Sequence, residues 1–229
     1  MNKILPGTIG LLGGTFNPVH TGHLRLAIEV REALALSRID FLPAKSPPHK
    51  RHDNLLDYRL RMQMVCNATA QVDGLGACAI EGDLPEPSYS LLTIQHLQTH
   101  NPNTCYAFIL GSSDLLTLPQ WYQGLQIPYT VDLIVAGREG LDNSAMFLFL
   151  RQHWDYAYLA DDVLAITGGR RIFFVSIPRI DISATLIRKK FCQNQEVFGL
   201  VPENVRQCML ENKSKIQQCW SVYNHRENV

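Results

Sequence analysis

The sequence lacks any stretch on which a membrane reading could rest. Its longest apolar runs, such as Met146–Leu150 (MFLFL), fall far short of the ~20 residues a span requires. A signal-peptide core is missing as well, because Pro6, Gly7 and Gly10 interrupt the apolar residues that follow Lys3. Charge of one sign is not in excess: 21 Lys plus Arg stand against 21 Asp plus Glu, with no long block of either. A protein that neutralises many nucleic-acid phosphates carries a basic surplus, so nucleic acid is not an expected partner. Any anion site must be local and built by a few placed residues. The six cysteines (Cys66, Cys78, Cys105, Cys192, Cys208 and Cys219) show no CxxC spacing, which argues against a structural zinc site. With no leader, free thiols are expected rather than three disulfides, and the expected location is cytoplasmic. Oligomeric state, including a homo-oligomer, is left open.

What is present is a chain able to build its own core. At roughly 150 residues per domain, 229 residues with 46% hydrophobic content predict one large domain over 1–229, without a linker or internal repeat. A short apolar run, Thr8–Leu12, ends at Gly13-Gly14 and reads as a buried strand entering a tight turn. From Thr21 the period changes: Leu26, Val30, Ala33 and Leu34 line one face, and Arg25, Glu29 and Glu32 another, predicting a helix. The alternation continues with a strand at Arg38–Pro43, a helix near Leu55–Ala70, a strand near Gly76–Glu81 and a helix from Ser90 to about Gln98. Strands at Cys105–Leu110, Val131–Ala136 and Arg171–Ser176 follow. A C-terminal helical segment over about 183–213 combines helices near Ser183–Cys192 and Pro202–Asn212, and the tail after Glu211, rich in Gln, Asn and Lys, is expected to fray. This pattern predicts a Rossmann-like α/β fold: a doubly wound, mostly parallel sheet with helices on both faces. Ligands in such sheets bind beyond the strands' carboxyl ends, where strand order reverses, which directs attention to the first turn.

Four segments carry candidate chemistry. Gly13–Leu24 (GGTFNPVHTGHL) places a glycine turn and two histidines, His20 and His23, where a strand passes into a helix, so backbone N–H groups and ring N–H donors can face an anion. The two glycines remove side chains at the closest approach, and Gly22 is expected to leave room for a nucleotide. The segment has neither the Gly-Lys-Ser/Thr of a Walker loop nor G-x-G-x-x-G, so it is not a dehydrogenase fingerprint. Pro43–His52 (PAKSPPHKRH) gathers Lys45, His49, Lys50, Arg51 and His52 in one proline-stiffened loop, suited to clamping phosphate. In Asp181–Lys190 (DISATLIRKK), Asp181 or Ser183 can cap a helix, while Ser183, Thr185 and the planar fork of Arg188 can hold phosphate oxygens. Ser88-Tyr89-Ser90 and Gly111–Tyr122 (GSSDLLTLPQWY) offer Tyr89, Trp121 and Tyr122 for stacking on a flat ring, with Gly111 giving it space. The acidic pair Asp161-Asp162 reads as a solvated loop.

Together these motifs resemble the nucleotidyltransferase superfamily marked by HxGH, here His20-Thr21-Gly22-His23, and within it most closely the bacterial nicotinate-mononucleotide adenylyltransferases. GGTFNPVHTGHL, PPHK at Pro47–Lys50, SYS at Ser88–Ser90, the Gly111 loop with Trp121, ISATLIR at Ile182–Arg188 and LVPENV at Leu200–Val205 follow that family's order over roughly residues 8–210. The resemblance implies transfer of the adenylyl group of ATP to nicotinate mononucleotide, releasing pyrophosphate, with Mg²⁺ carried mainly on the ATP phosphates and no protein metal ligand assigned. It implies His20, His23 and Arg188 as catalytic; Gly13, Gly14, Thr15, Phe16, His49, Lys50, Ile182, Ser183 and Thr185 at ATP and the phosphates; and Tyr89, Ser90, Gly111 and Trp121 around the pyridine nucleotide. Two positions depart from the family: Asn17 stands for the usual Asp of TFDP, and Ser113 for the Asp of Gly-x-Asp, with Asp114 one residue later. Rival acceptors are nicotinamide mononucleotide and phosphopantetheine, and the rival of another class is a non-catalytic nucleotide sensor.

Overall fold

A computed structural model describes residues 4–48, 54–138 and 143–221. Eight strands form one sheet: β1 (Ile9–Gly14), β2 (Arg38–Pro43), β3 (Leu75–Ala77), β4 (Tyr106–Gly111), β5 (Asp132–Arg138), β6 (Tyr156–Ala160), β7 (Val163–Ile166) and β8 (Arg171–Ile177). Their order is β3-β2-β1-β4-β5-β8-β7-β6, parallel from β3 to β8 and antiparallel in the final β8-β7-β6 stretch. The chain runs outward from β1 to β3, then returns to lay β4 on the other side of β1. The reversal of strand order therefore falls beside the first turn, as the glycine-ended strand predicts.

Nine helices cover the sheet among the described residues: α1 (Thr21–Leu34), α2 (Tyr58–Thr69), α3 (Ser90–His100), α4 (Ser112–Thr117), α5 (Ile127–Thr130), α6 (Asn143–His153), α7 (Ala184–Cys192), α8 (Glu203–Glu211) and α9 (Lys213–Ser221). Because successive strand residues face opposite ways, β1 sends Leu12 into a core with α1, α2 and α7–α9, and Leu11 into a second core with α3–α6. β4 divides likewise, Ala107 and Ile109 against Phe108 and Leu110. Burial on both faces explains why these strands read as continuous apolar runs. No described helix is long and apolar enough to cross a membrane, and the six cysteines are unpaired.

The structure revises several expectations. Helix α2 begins at Tyr58, not Leu55, because the Asp57 side chain accepts from Arg59 N–H at 3.0 Å and sets the start. The strand expected to run to Glu81 stops at Ala77, and Ile80–Gly82 turns as a short 3-10 helix. Within the described residues the stretch after Glu211 is helical: α9 continues to Ser221, anchored by Ile216 and Trp220, both fully buried. The sequence reading also missed α4, α5, α6 and the β6–β7 hairpin, whose turn holds Asp161-Asp162.

Candidate active site

One cavity of about 1640 Å³ opens over the carboxyl ends of the parallel strands, at the β1/β4 reversal. That exceeds the few hundred to 1,000 Å³ typical of a single small ligand, and is large enough for two substrates side by side. Its wall brings together Gly13, Gly14, Thr15, Phe16, His23, Tyr89, Ser90, Gly111, Trp121, Thr185 and Arg188. His20, Ile182 and Ser183 are not among the residues that line it. His49 and Lys50 fall outside the described residues.

The two histidines differ. His23 is half-buried and lines the cavity. The His20 backbone N–H donates to its Nδ1 at 3.2 Å, so a neutral His23 ring carries its proton on Nε2. The ring is packed between His20, stacked at 3.6 Å, and Phe16, edge-on at 5.0 Å. His20 is the packing element of the pair: only 7% exposed, with its Nδ1 buried and unpartnered, and with burial lowering its pKa to about 4. Gly22 corrects another expectation. A Cβ there would meet His20 Nδ1 at 3.1 Å, so the missing side chain leaves room for the His20 ring rather than for a nucleotide.

The turn glycines have similar internal reasons. A Cβ on Gly14 would lie 2.8 Å from the Phe16 ring, and one on Gly13 would lie 3.1 Å from Phe108. Phe16 itself has φ 47°, a sparsely populated region for a bulky residue, and its ring is buried between His23 and Phe41. Its ring is thus committed to the core. Asn17 uses both ends of its amide: Nδ2 donates to Asn54 O at 2.7 Å, and Oδ1 accepts from Leu56 N–H at 3.2 Å. A carboxylate could make the second bond but not the first, so Asn here ties the first turn to the segment before α2.

The opposite wall comes from the C-terminal third. Ser183 takes the capping reading, accepting from Leu186 N–H at 3.2 Å, while Asp181 pairs with Arg179. Arg188 reaches back across 171 residues to donate to Asn17 O at 2.9 Å, and donates to Thr185 Oγ1 at 3.0 Å. Ile182 packs behind Gly22, 3.9 Å from where a Cβ would lie. Arg179, not singled out by sequence, also lines the cavity. At the other end, Tyr89 and Tyr122 stack at 4.4 Å, and Trp121 Nε1 donates to Thr117 Oγ1 at 3.3 Å, forming an aromatic corner suited to a flat ring. Asp114 accepts from Gly111 N–H at 3.3 Å, so it closes the start of α4 in the loop where Ser113 holds the position expected to be acidic. Lys45, counted with the second loop's cations, is directed to Gly82 O and Glu86, both at 3.3 Å.

Residues 11–190 match the model of the cytidylyltransferase-like family, which covers most of the chain and all of this geometry. The chain belongs to the cytidylyltransferase-like family. Among its relatives is a protein of Geobacter sulfurreducens named a probable nicotinate-nucleotide adenylyltransferase, 36% identical over 208 residues, which span 89% of this chain and 96% of the relative. One of the same name from Maridesulfovibrio salexigens is 32% identical over 213 residues, 93% and 99% of the two chains. The fold is shared with the Plasmodium falciparum nicotinic acid mononucleotide adenylyltransferase in its complex with NaAD, at a TM-score of 0.66 and 15% identity over 90% of this chain and 96% of that one. In this cytidylyltransferase-like chain, the HxGH signature is one buried histidine supporting one that lines the cavity.

Proposed function

We propose that the protein transfers the adenylyl group of ATP to nicotinate mononucleotide, forming nicotinate adenine dinucleotide and pyrophosphate. The observation that carries this is a single cavity holding the glycine turn, the cavity-lining His23, Arg188 from the far end of the chain and an aromatic corner. Phosphate-binding groups sit at one end and a place for a flat ring at the other. The names of its relatives support the same reading.

In the reaction, a phosphate oxygen of the mononucleotide attacks the α-phosphorus of ATP in line, and the bond to the β-phosphate oxygen breaks. The nucleophile is already an anion, so no proton needs to be removed, and catalysis reduces to alignment and stabilisation of charge. His23 Nε2–H donates to the phosphate oxygens as charge builds. Arg188, already fixed by Asn17 and Thr185, steadies the leaving pyrophosphate. The backbone N–H groups of the turn after β1 receive the nucleotide phosphates, and Lys50 with His49 act from the second loop. Neutral His20 fixes the plane of His23. Mg²⁺ carried on the ATP phosphates would offset their charge; Glu81, Asp114, Asp161 and Asp162 line the cavity, but no three of the described His, Cys, Asp or Glu residues converge as a metal cage. Tyr89, Ser90, Tyr122 and Trp121 receive the pyridine ring.

The test is pyrophosphate release from Mg²⁺-ATP with nicotinate mononucleotide, its amide and phosphopantetheine in parallel. The expected outcome is preference for the acid by about tenfold or more, or ~1.4 kcal/mol in transition-state binding. His23→Ala should lower turnover about 10²–10⁴-fold in a folded protein. Release with the amide alone would overturn the assigned pyridine corner. Silence with all three acceptors, from protein that still binds ATP, would favour a nucleotide sensor.

A further inference from the structure

Arg61, in the first turn of α2, is among the largest side chains buried to below 2% exposure, and the motifs above do not include it. Its guanidinium donates to four backbone carbonyls: Nε to Leu56 O at 2.8 Å, Nη1 to Thr15 O at 2.8 Å and to Ala44 O at 2.7 Å, and Nη2 to Lys45 O at 3.0 Å. These carbonyls belong to the turn after β1, the loop after β2 and the entrance to α2. No carboxylate of the described residues hydrogen-bonds to it. Burial lowers its pKa to about 10, which leaves it protonated at neutral pH.

A buried cation held by four neutral carbonyls, with the Tyr58 ring 5.7 Å away, is an expensive way to stabilise a fold, since apolar packing of similar volume commonly does as well or better. Its position supplies the reason. Thr15 and Ala44 both line the cavity. By drawing their carbonyl oxygens inward, Arg61 turns acceptor lone pairs away from a site that must receive anions. It also places a positive charge that no carboxylate hydrogen-bonds, with Asp57 as its nearby acidic neighbour, directly behind both loops, where a low dielectric screens it little.

We propose that Arg61 is a positioning residue for the phosphate end of the site: it clips the turn after β1 to the loop after β2, and its fixed charge favours polyphosphate in the cavity. This rests on the phosphoryl-transfer reading above, and the affinity part of its test uses a ligand that needs no acceptor. Inorganic pyrophosphate with Mg²⁺ is titrated into wild type, Arg61→Met and Arg61→Lys, with circular dichroism, thermal melting and steady-state kinetics in parallel. Arg61→Met should weaken pyrophosphate binding by about tenfold or more. Arg61→Lys, which restores the charge but cannot span four carbonyls, should recover most of that affinity while kcat stays about tenfold or more below wild type. A merely structural arginine would lower the melting temperature and leave this separation of affinity from kcat absent.

The proposal is overturned if either folded variant matches wild type in both affinity and kcat. It is overturned equally if neither variant folds, which marks a purely structural residue, or if wild type does not bind pyrophosphate. Where Arg61→Met alone fails to fold, reduced kcat with retained affinity in Arg61→Lys supports the proposal, and wild-type kcat overturns it. Failure of the acceptor assay with intact pyrophosphate binding would count against the proposed reaction alone.

Discussion

At the scale of single residues, the two histidines of the signature have different jobs, and pH separates them. Burial holds the folded-state pKa of His20 near 4, against 6.5 for an exposed ring. The unfolded chain therefore binds the proton more readily, and stability contributed by neutral His20 is complete above about pH 6.5 and lost as pH falls toward 4. At 1.36 kcal/mol per unit, that loss amounts to about 2 kcal/mol between roughly pH 7 and pH 5. Urea unfolding at those two pH values should show it, and His20→Gln should remove that part of the pH dependence. The glycines teach a related lesson. Sequence singles out Gly13, Gly14 and Gly22, of which the first two line the cavity, and attributes their smallness to the ligand. The space is taken by Phe108, Phe16 and His20, contacts with partners that no local spacing reveals. Asn17 is similar: its departure from the family's Asp is visible, but its bond to Asn54 O, 37 residues away, is not.

At the scale of elements, α9 shows how composition can mislead. Its Lys, Ser and Gln residues give a polar average, yet Ile216 and Trp220 are spaced i, i+4 and both disappear into the core, with Trp220 edge-on to Phe191 of α7 at 5.9 Å. Trp220→Ala should cost about 3–5 kcal/mol, measurable as a lower denaturant midpoint with unchanged slope. Because α7 carries Arg188 and Thr185, pyrophosphate release should weaken in the same variant as the helix loosens. The apolar runs of β1, β2, β4 and β8 and the apolar stripe of α1 are legible to within about two residues. The β6–β7 hairpin is not, because its edge strand exposes Tyr158 and Leu159, and so lacks the alternation that marks a half-buried strand. Helix α6 escaped for another reason: in the unbroken apolar run MFLFL the exposed Leu148 stands next to the buried Phe149 and Leu150, which hides the stripe that faces the core.

At the scale of the whole molecule, the cavity belongs to neither end of the chain. The turn after β1 and the start of α1 supply one wall, and α7 supplies the other. The two are joined by Arg188 to Asn17, and by Thr21, whose N–H donates to Leu200 O at 3.0 Å and whose hydroxyl donates to Gly199 O at 3.1 Å. The sequence shows the motifs at both ends, and their family order brings them into one site on paper. The geometry that closes them comes from strand order, which returns β4 and β8 to the side of β1 opposite β2.

The 171-residue separation between Asn17 and Arg188 also has a meaning in time. At ~5–20 residues per second, a ribosome makes the first turn roughly ten to thirty seconds before the arginine that closes it. Throughout that interval the growing chain holds only one wall of the cavity. A nascent chain stalled before α7 should retain no inorganic pyrophosphate, whereas one stalled on a linker beyond the C-terminus should bind it. The order of synthesis thus leaves the cavity without its second wall until α7 has been made.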